Sequence, residues 1–153
     1  MTVLAVRAGE MAADSLVTCG SGKEPGSRYS RTKKIKRMPN GALLGGCGDP
    51  AVFNRMAVVL RGIIQKRKPI TCANIAPFDG VDALYLDTDN RVWLFTGGPN
   101  GGIMELEGPF FAEGSGCIAA LAAFHCGADA YTAVEIAIEL DTGCGGHVHL
   151  EAL

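Results

Sequence analysis

Threonine is the second residue of this chain, directly after Met1, in the opening MTVLAVRAGEMAADS. A threonine hydroxyl is a weak nucleophile at neutral pH and needs a neighbouring base to take its proton as it attacks a carbonyl. A free N-terminal amine can be that base, because its ordinary pKa of about 7.7 to 8.0 needs only a modest downward shift to leave much of it neutral. Thr2 therefore carries chemistry only once Met1 is gone, and Met before a small residue is a start that cells trim, with no long propeptide required. By position alone, the plainer reading is that Thr2 begins a strand. Further along come Asp14-Ser15, Lys34 in KKI, the glycine-rich LLGGCGD of residues 43–49, the GSG of 114–116 and the DTGCGG of 141–146. Each also has a structural reading: Asp14 caps a turn, Lys34 is one of several surface lysines, GGCGD turns a strand into a helix, and GSG punctuates a helix.

Other chemistries find little support. The motifs GxxxxGK[ST], GxSxG and HExxH are absent. His125 falls within a helical pattern, while His147 and His149 share a strand face without a third ligand, which reads as a polar face and not as a metal site. Six cysteines (Cys19, Cys47, Cys72, Cys117, Cys126, Cys144) lack CxxC spacing, so free thiols in a reducing compartment are expected. No metal and no cofactor is implied. A net charge of -2 gives no global field for nucleic acid or an anionic membrane. The stretch RYSRTKKIKR does gather Arg28, Arg31, Lys33, Lys34, Lys36 and Arg37, but Tyr29 is its sole stacking aromatic, so a solvated or partner-facing surface fits better than nucleic acid. No apolar run reaches the length of a membrane helix, and the start has no basic region followed by an apolar segment, so a cytoplasmic location is expected.

The elements that must position these groups follow from pattern. A length of 153 residues predicts a single domain spanning 1–153 with one core, and 21 glycines predict frequent tight turns. TVLAVRA and MAADS flank a tight turn and predict a first hairpin. Residues 20–32, rich in Gly, Ser, Pro and charge, predict an exposed loop. KKIKRM and ALLGGC flank Pro39-Asn40-Gly41 and predict a second hairpin. Asp49-Pro50 is an N-cap followed by proline at the first helical position, and Val52, Met56, Val59, Leu60 and Ile63 recur at helical spacing behind it. TCANIAPFDG leaves room for a short helical turn. A third hairpin spans VDALYLDTDNRVWLFTGG, one or two strands lie in IMELEGPFFAEG, and GSGCIAALAAFHCG is an alanine-rich helix. Asp129 caps another helix with Ala133, Ile136, Ala137 and Leu140 on one face, and HVHLEAL ends the chain as a strand. This order is α+β, with enough apolar strands for two stacked sheets and apolar helices outside them.

Taken in order, Thr2, Asp14-Ser15, Lys34, LLGGCGD, GSG and DTGCGG resemble the β-subunits of the proteasome and the bacterial HslV peptidase, the threonine branch of the N-terminal-nucleophile hydrolases. The resemblance runs over essentially the whole chain and implies a four-layer αββα sandwich. It also implies a threonine endopeptidase in which Thr2 is the nucleophile and its own amine the base. Lys34 is implied beside the Thr2 hydroxyl as an ammonium held by Asp14, with Ser115 and Asp141 orienting the amine. Cys144 stands near them, where a serine is usual. Either Gly46 or Cys47 is the natural backbone donor to an oxyanion, since glycine lets main chain approach closely. Implied partners are copies of the same chain in a ring of six or seven, single or stacked, an ATP-dependent AAA+ unfoldase ring, and unfolded protein or peptide as substrate. A catalytically silent ring subunit, a small-molecule amidase and a nucleic-acid module are the competing readings.

Overall fold

The computed structural model describes residues 2–19, 28–75 and 78–153. The first hairpin joins β1 (Leu4–Arg7) to β2 (Glu10–Ala13) through Ala8 and Gly9, both at positive φ, as a two-residue turn that matches strand twist demands. Leu16–Cys19 forms β3, which pairs with β4 (Arg28–Arg31). That strand corrects the loop expected over 20–32. RYSR has no apolar periodicity of its own, and its state is decided by the strand beside it. Residues 20–27 lie outside the described residues.

The Pro39–Gly41 turn joins β5 (Ile35–Arg37) to β6 (Leu43–Gly48) as expected. Asp49 then caps α1 (Pro50–Gln65), its Oδ1 accepting from the N–H groups of Ala51 and Val52 at 2.7 and 3.2 Å. Val81–Leu86 and Val92–Phe95 are β7 and β8, and Ile103–Leu106 and Phe110–Glu113 are β9 and β10. Two helices, α2 (Cys117–His125) and α3 (Ala130–Leu140), precede the last strand, β11 (His149–Ala152). Among the described residues, no helix is long and apolar enough to cross a membrane.

Two antiparallel sheets carry the fold, in the orders β10-β1-β2-β11 and β5-β6-β7-β8-β9. Strand alternation sorts the core into three apolar layers, in place of the single core expected from length. Val3, Ala5 and Ala12 face outward under α2 and α3, against Ala120, Phe124, Ala133 and Val134. Leu4, Val6 and Met11 face the other way and meet Leu43, Leu84, Leu86 and Val92 of the second sheet. Leu44, Ala83, Tyr85 and Phe95 turn to the far side, under Phe53, Met56, Leu60 and Ile63 of α1. The stacking is helices, sheet, sheet, helix, which is the αββα sandwich.

Helix faces differ from the sequence reading in detail. Phe53 and Ala57 are buried where Val59 was expected, and Val59 is 39% exposed. On α3 the buried set is Ala130, Ala133, Val134 and Ala137, while Leu140 is 71% exposed. The small residues sit against the sheet because α2 and α3 pack on each other as well as on β1 and β2.

Candidate active site

The first hairpin brings Thr2 and Asp14 together. Its register sets Leu4 opposite Ala13, so the residues just outside that pair face each other, and Asp14 N–H donates to the Val3 carbonyl at 3.3 Å. Lys34 reaches them from the other sheet, one residue before β5. Its Nζ donates to Thr2 Oγ1 at 2.8 Å and to Asp14 Oδ1 at 2.7 Å. All three are withdrawn from water, with Thr2 4%, Asp14 0% and Lys34 5% exposed. A buried ion pair is tolerated only when its remaining lone pairs are satisfied. Asp14 meets that demand with two main-chain donors, Val3 N–H at 3.0 Å to Oδ1 and Gly145 N–H at 3.1 Å to Oδ2.

A second chain of polar groups reaches Thr2 from the helical side. Because β10 pairs with β1, the GSG turn that follows it arrives beside the chain start. Thr2 N–H donates to Ser115 Oγ at 3.3 Å, and Gly116 N–H donates to the Thr2 carbonyl at the same distance. In the full sequence that nitrogen is the amide joining Thr2 to Met1, and after removal of Met1 it would be the free amine. Cys144 and Asp141 lie in the loop between α3 and β11. Cys144 Sγ is 3.8 Å from Ser115 Oγ and donates to Asp141 Oδ2 at 3.2 Å. Burial pushes the Cys144 thiol up to about 12, so at neutral pH it is a protonated donor.

The hydrogen bond from Ser115, helped by the Gly143 N–H and the Cys144 thiol, holds the Asp141 carboxyl below the usual carboxylate range. A depressed pKa stabilises the fold above the unfolded carboxylate value and loses that contribution as pH falls through the folded value. Ser115→Ala should therefore raise the Asp141 pKa toward the ordinary carboxylate value and move the acid limb of the stability curve upward. An NMR pH titration of the Asp141 carboxyl carbon measures this directly, and an unshifted titration would show that the bond does not hold in solution.

Gly46 and Cys47 lie at the end of β6 beside this group. Gly46 N–H donates to the Lys34 carbonyl at 3.0 Å, so it is engaged in the ladder that fixes Lys34. A Cβ at Gly46 would fall 2.1 Å from the Phe53 ring of α1, which explains the residue type by close packing of the strand under the helix. Cys47 projects to the opposite face, and its thiol is raised, by burial first and by the Glu113 charge next.

Gly114 is a close approach of main chain to Thr2 itself. Its φ is +94°, and an added Cβ would lie 2.2 Å from the Thr2 carbonyl oxygen. Gly114→Ala is expected to cost about 1 to 3 kcal/mol and to push the chain start away from Lys34. Thermal melting together with the rate of active-site labelling reads both effects.

All eight candidate residues thus gather at one end of the sandwich. The partners that sequence reading did not name are the Val3 and Gly145 N–H groups on Asp14. Among the described residues, no group of three or more His, Cys, Asp or Glu side chains is arranged to hold a metal ion.

No family model matches the sequence, and no curated protein matches it significantly. Solved structures do match. Thiobacillus denitrificans BPH in complex with epoxomicin superposes with a TM-score of 0.69 at 19% identity, over 100% of this chain and 98% of that one. Eukaryotic HslV from Trypanosoma brucei gives 0.69 at 18% identity, over 98% of this chain and 97% of its own. This chain has the HslV fold. A second structure of Thiobacillus denitrificans BPH gives 0.63 at 15% identity, over 99% and 96%. The match to the HslV fold is full length from both sides, so no layer of the sandwich is missing from this chain. At these identities the HslV fold speaks for architecture, and the chemistry rests on the side chains described above.

Proposed function

We propose that this chain is a threonine endopeptidase subunit of a self-compartmentalising ring protease that degrades unfolded polypeptides after Met1 is removed. The observation that carries the reading is the Lys34 ammonium, 2.8 Å from Thr2 Oγ1 and 2.7 Å from Asp14 in a buried site at the chain start. A cation held there favours loss of the Thr2 proton, and burial strengthens its field.

Thr2 Oγ adds to the peptide carbonyl while its proton passes to the Thr2 amine. The tetrahedral intermediate then collapses, the amine hands the proton to the leaving nitrogen, and an ester joins the substrate acyl group to Thr2. Water adds to the ester with the same amine as base, releasing the acid and restoring the hydroxyl. Ser115, in contact with the Thr2 nitrogen and tied to Asp141, orients that amine and helps keep its lone pair aimed at the hydroxyl. Cys144 supports Asp141. By the alternation of ladder bonds the Gly46 N–H faces Lys34 and the Cys47 N–H faces Asp82, so an oxyanion would have to draw either donor out of its strand pairing.

Assembly belongs to the same reading. Ile118 and Leu140 stand 79% and 71% exposed on the outer helices, an apolar surface that a neighbouring copy would cover. A ring of six or seven copies, single or stacked, encloses the sites and admits unfolded chains, and an ATP-dependent AAA+ unfoldase supplies them. The basic stretch contributes less to that docking than its composition suggests. Lys34 is buried, Lys36 lies 5.5 Å over the Phe53 ring, and Arg37 pairs with Glu151 at 3.0 Å. Sedimentation of the purified protein, with hydrolysis of an internally quenched peptide followed on the same fractions, tests the proposal. Activity confined to a ring-sized species supports it, and activity in a monomer or dimer toward small amides only would replace it with the amidase.

A further inference from the structure

Ser15 lies in the short link between β2 and β3, directly after Asp14, and its N–H, carbonyl and hydroxyl are all engaged. The N–H donates to the Gly145 carbonyl at 3.2 Å, the carbonyl accepts the Thr32 N–H at 3.0 Å, and Oγ accepts the His147 N–H at 2.8 Å. Leu16 N–H donates to the same Gly145 carbonyl at 3.0 Å, and Gly145 N–H returns to Asp14 Oδ2 at 3.1 Å. Residues 14–16 therefore grip residues 145–147 through four hydrogen bonds. On its other side Ser15 is tied to Thr32, from which the chain runs on to Lys34.

The gripped segment is the far end of the loop that carries Asp141 and Cys144. That loop leaves α3 at Asp141, the residue that ends the helix. Within it, Gly143 N–H donates to Asp141 Oδ1 at 2.8 Å, and the Cys144 thiol, next to Gly145, donates to Asp141 Oδ2 at 3.2 Å. The loop is shaped for its contact with Ser15: Gly146 has a φ of +83°, and a Cβ there would lie 2.4 Å from Ser15 Oγ. Any side chain at 146 would force the two apart. The bond from His147 to Ser15 Oγ lies at the surface, where water can replace it, so it adds little to stability. Its geometric effect is larger, because it fixes where the loop beside Cys144 sits relative to Asp14.

We infer that Ser15 is a positioning residue for catalysis, which through its grip on residues 145–147 keeps Cys144 and Asp141 in place against Ser115 and the Thr2 nitrogen. This rests on the peptidase reading of Thr2. Nucleophile and base belong to one residue but are aligned by two polar chains, Asp14 and Lys34 on the hydroxyl, Asp141, Cys144 and Ser115 on the nitrogen. Ser15 ties the two chains to each other. A small misplacement of groups that act in the transition state lowers kcat and leaves substrate binding as it was.

Ser15→Ala keeps the main-chain bonds and removes only the acceptor of the His147 N–H. With an internally quenched peptide it is expected to lower kcat about tenfold with KM unchanged. In an NMR titration it should also raise the Asp141 carboxyl pKa toward the ordinary carboxylate value, a shift that a merely structural role would not produce. Ser15→Thr keeps the hydroxyl and should restore both readouts. Gly146→Ala opens the same contact from the loop side and should reproduce the loss of kcat. The two substitutions Ser15→Ala and Ser115→Ala should be strongly non-additive, with Ser15→Ala costing less than about twofold once Ser115 is alanine. Wild-type kcat in both Ser15→Ala and Gly146→Ala, or full additivity with Ser115→Ala, overturns this inference and leaves the peptidase reading standing. A wild type that does not cleave the peptide overturns the peptidase reading and this inference with it.

Discussion

Thr2→Ala is expected to lower peptide hydrolysis by roughly 10⁴-fold or more, with little loss of fold stability. The hydroxyl is the bond-forming atom in the proposed reaction, and it accepts from Lys34 Nζ at 2.8 Å. Removing it takes one acceptor from Lys34 and leaves the 2.7 Å contact with Asp14 in place. The loss of stability should therefore stay near the about 1 kcal/mol of an ordinary hydrogen bond. Thr2→Ser keeps the oxygen and should keep measurable turnover. A Thr2→Ala protein that retains the wild-type rate would place the nucleophile elsewhere.

Lys34→Met is expected to strike activity and stability together, and the two can be separated. Asp14 has no exposure, and Lys34 is its cation. Truncating one partner of a buried pair leaves the other charge uncompensated, at a cost of about 3 to 5 kcal/mol. In a chain of this length that lowers Tm by roughly 10 °C. Adding Asp14→Leu to Lys34→Met removes the stranded charge and should recover much of the lost Tm, though Val3 and Gly145 then lose an acceptor for their N–H groups. Turnover should stay absent in the double variant, because the cation beside Thr2 Oγ1 is still missing. Recovery of turnover along with Tm would mean that Lys34 acts on the fold alone. Calorimetry and peptide hydrolysis on the single and double variants give the answer.

Local signals in the sequence matched local structure. Pro39–Gly41 and Asp89-Asn90 turn where their residue types favour it, Ala8-Gly9 turns although Ala8 is held at positive φ, and Asp49-Pro50 begins α1 through a cap that is visible in the side chain itself. What depends on a neighbour was less legible. RYSR becomes a strand only because β3 lies beside it, and Val59, Ile136 and Leu140 fit a helical stripe yet face away from the sheets. The site divides the same way. Thr2, Asp14, Lys34, Ser115 and Asp141 are picked out by their order along the chain and its resemblance to the proteasome and HslV, each having a plain structural reading alone, whereas the Val3 and Gly145 donors that satisfy Asp14 are main-chain groups with no residue signature. Engagement of the Gly46 N–H by Lys34 follows from the β5–β6 register.

Thr2 is proposed to become an N-terminal nucleophile once Met1 is removed. Intact mass of the purified protein, before and after exposure to a peptide epoxyketone, tests it most directly, since the trap needs both the threonine hydroxyl and its free amine. The expected result is a mass lacking Met1 and one adduct per chain, absent from Thr2→Ala. A retained Met1 with no adduct would contradict it and leave a catalytically silent ring subunit, with Thr2 an ordinary residue at the start of a strand.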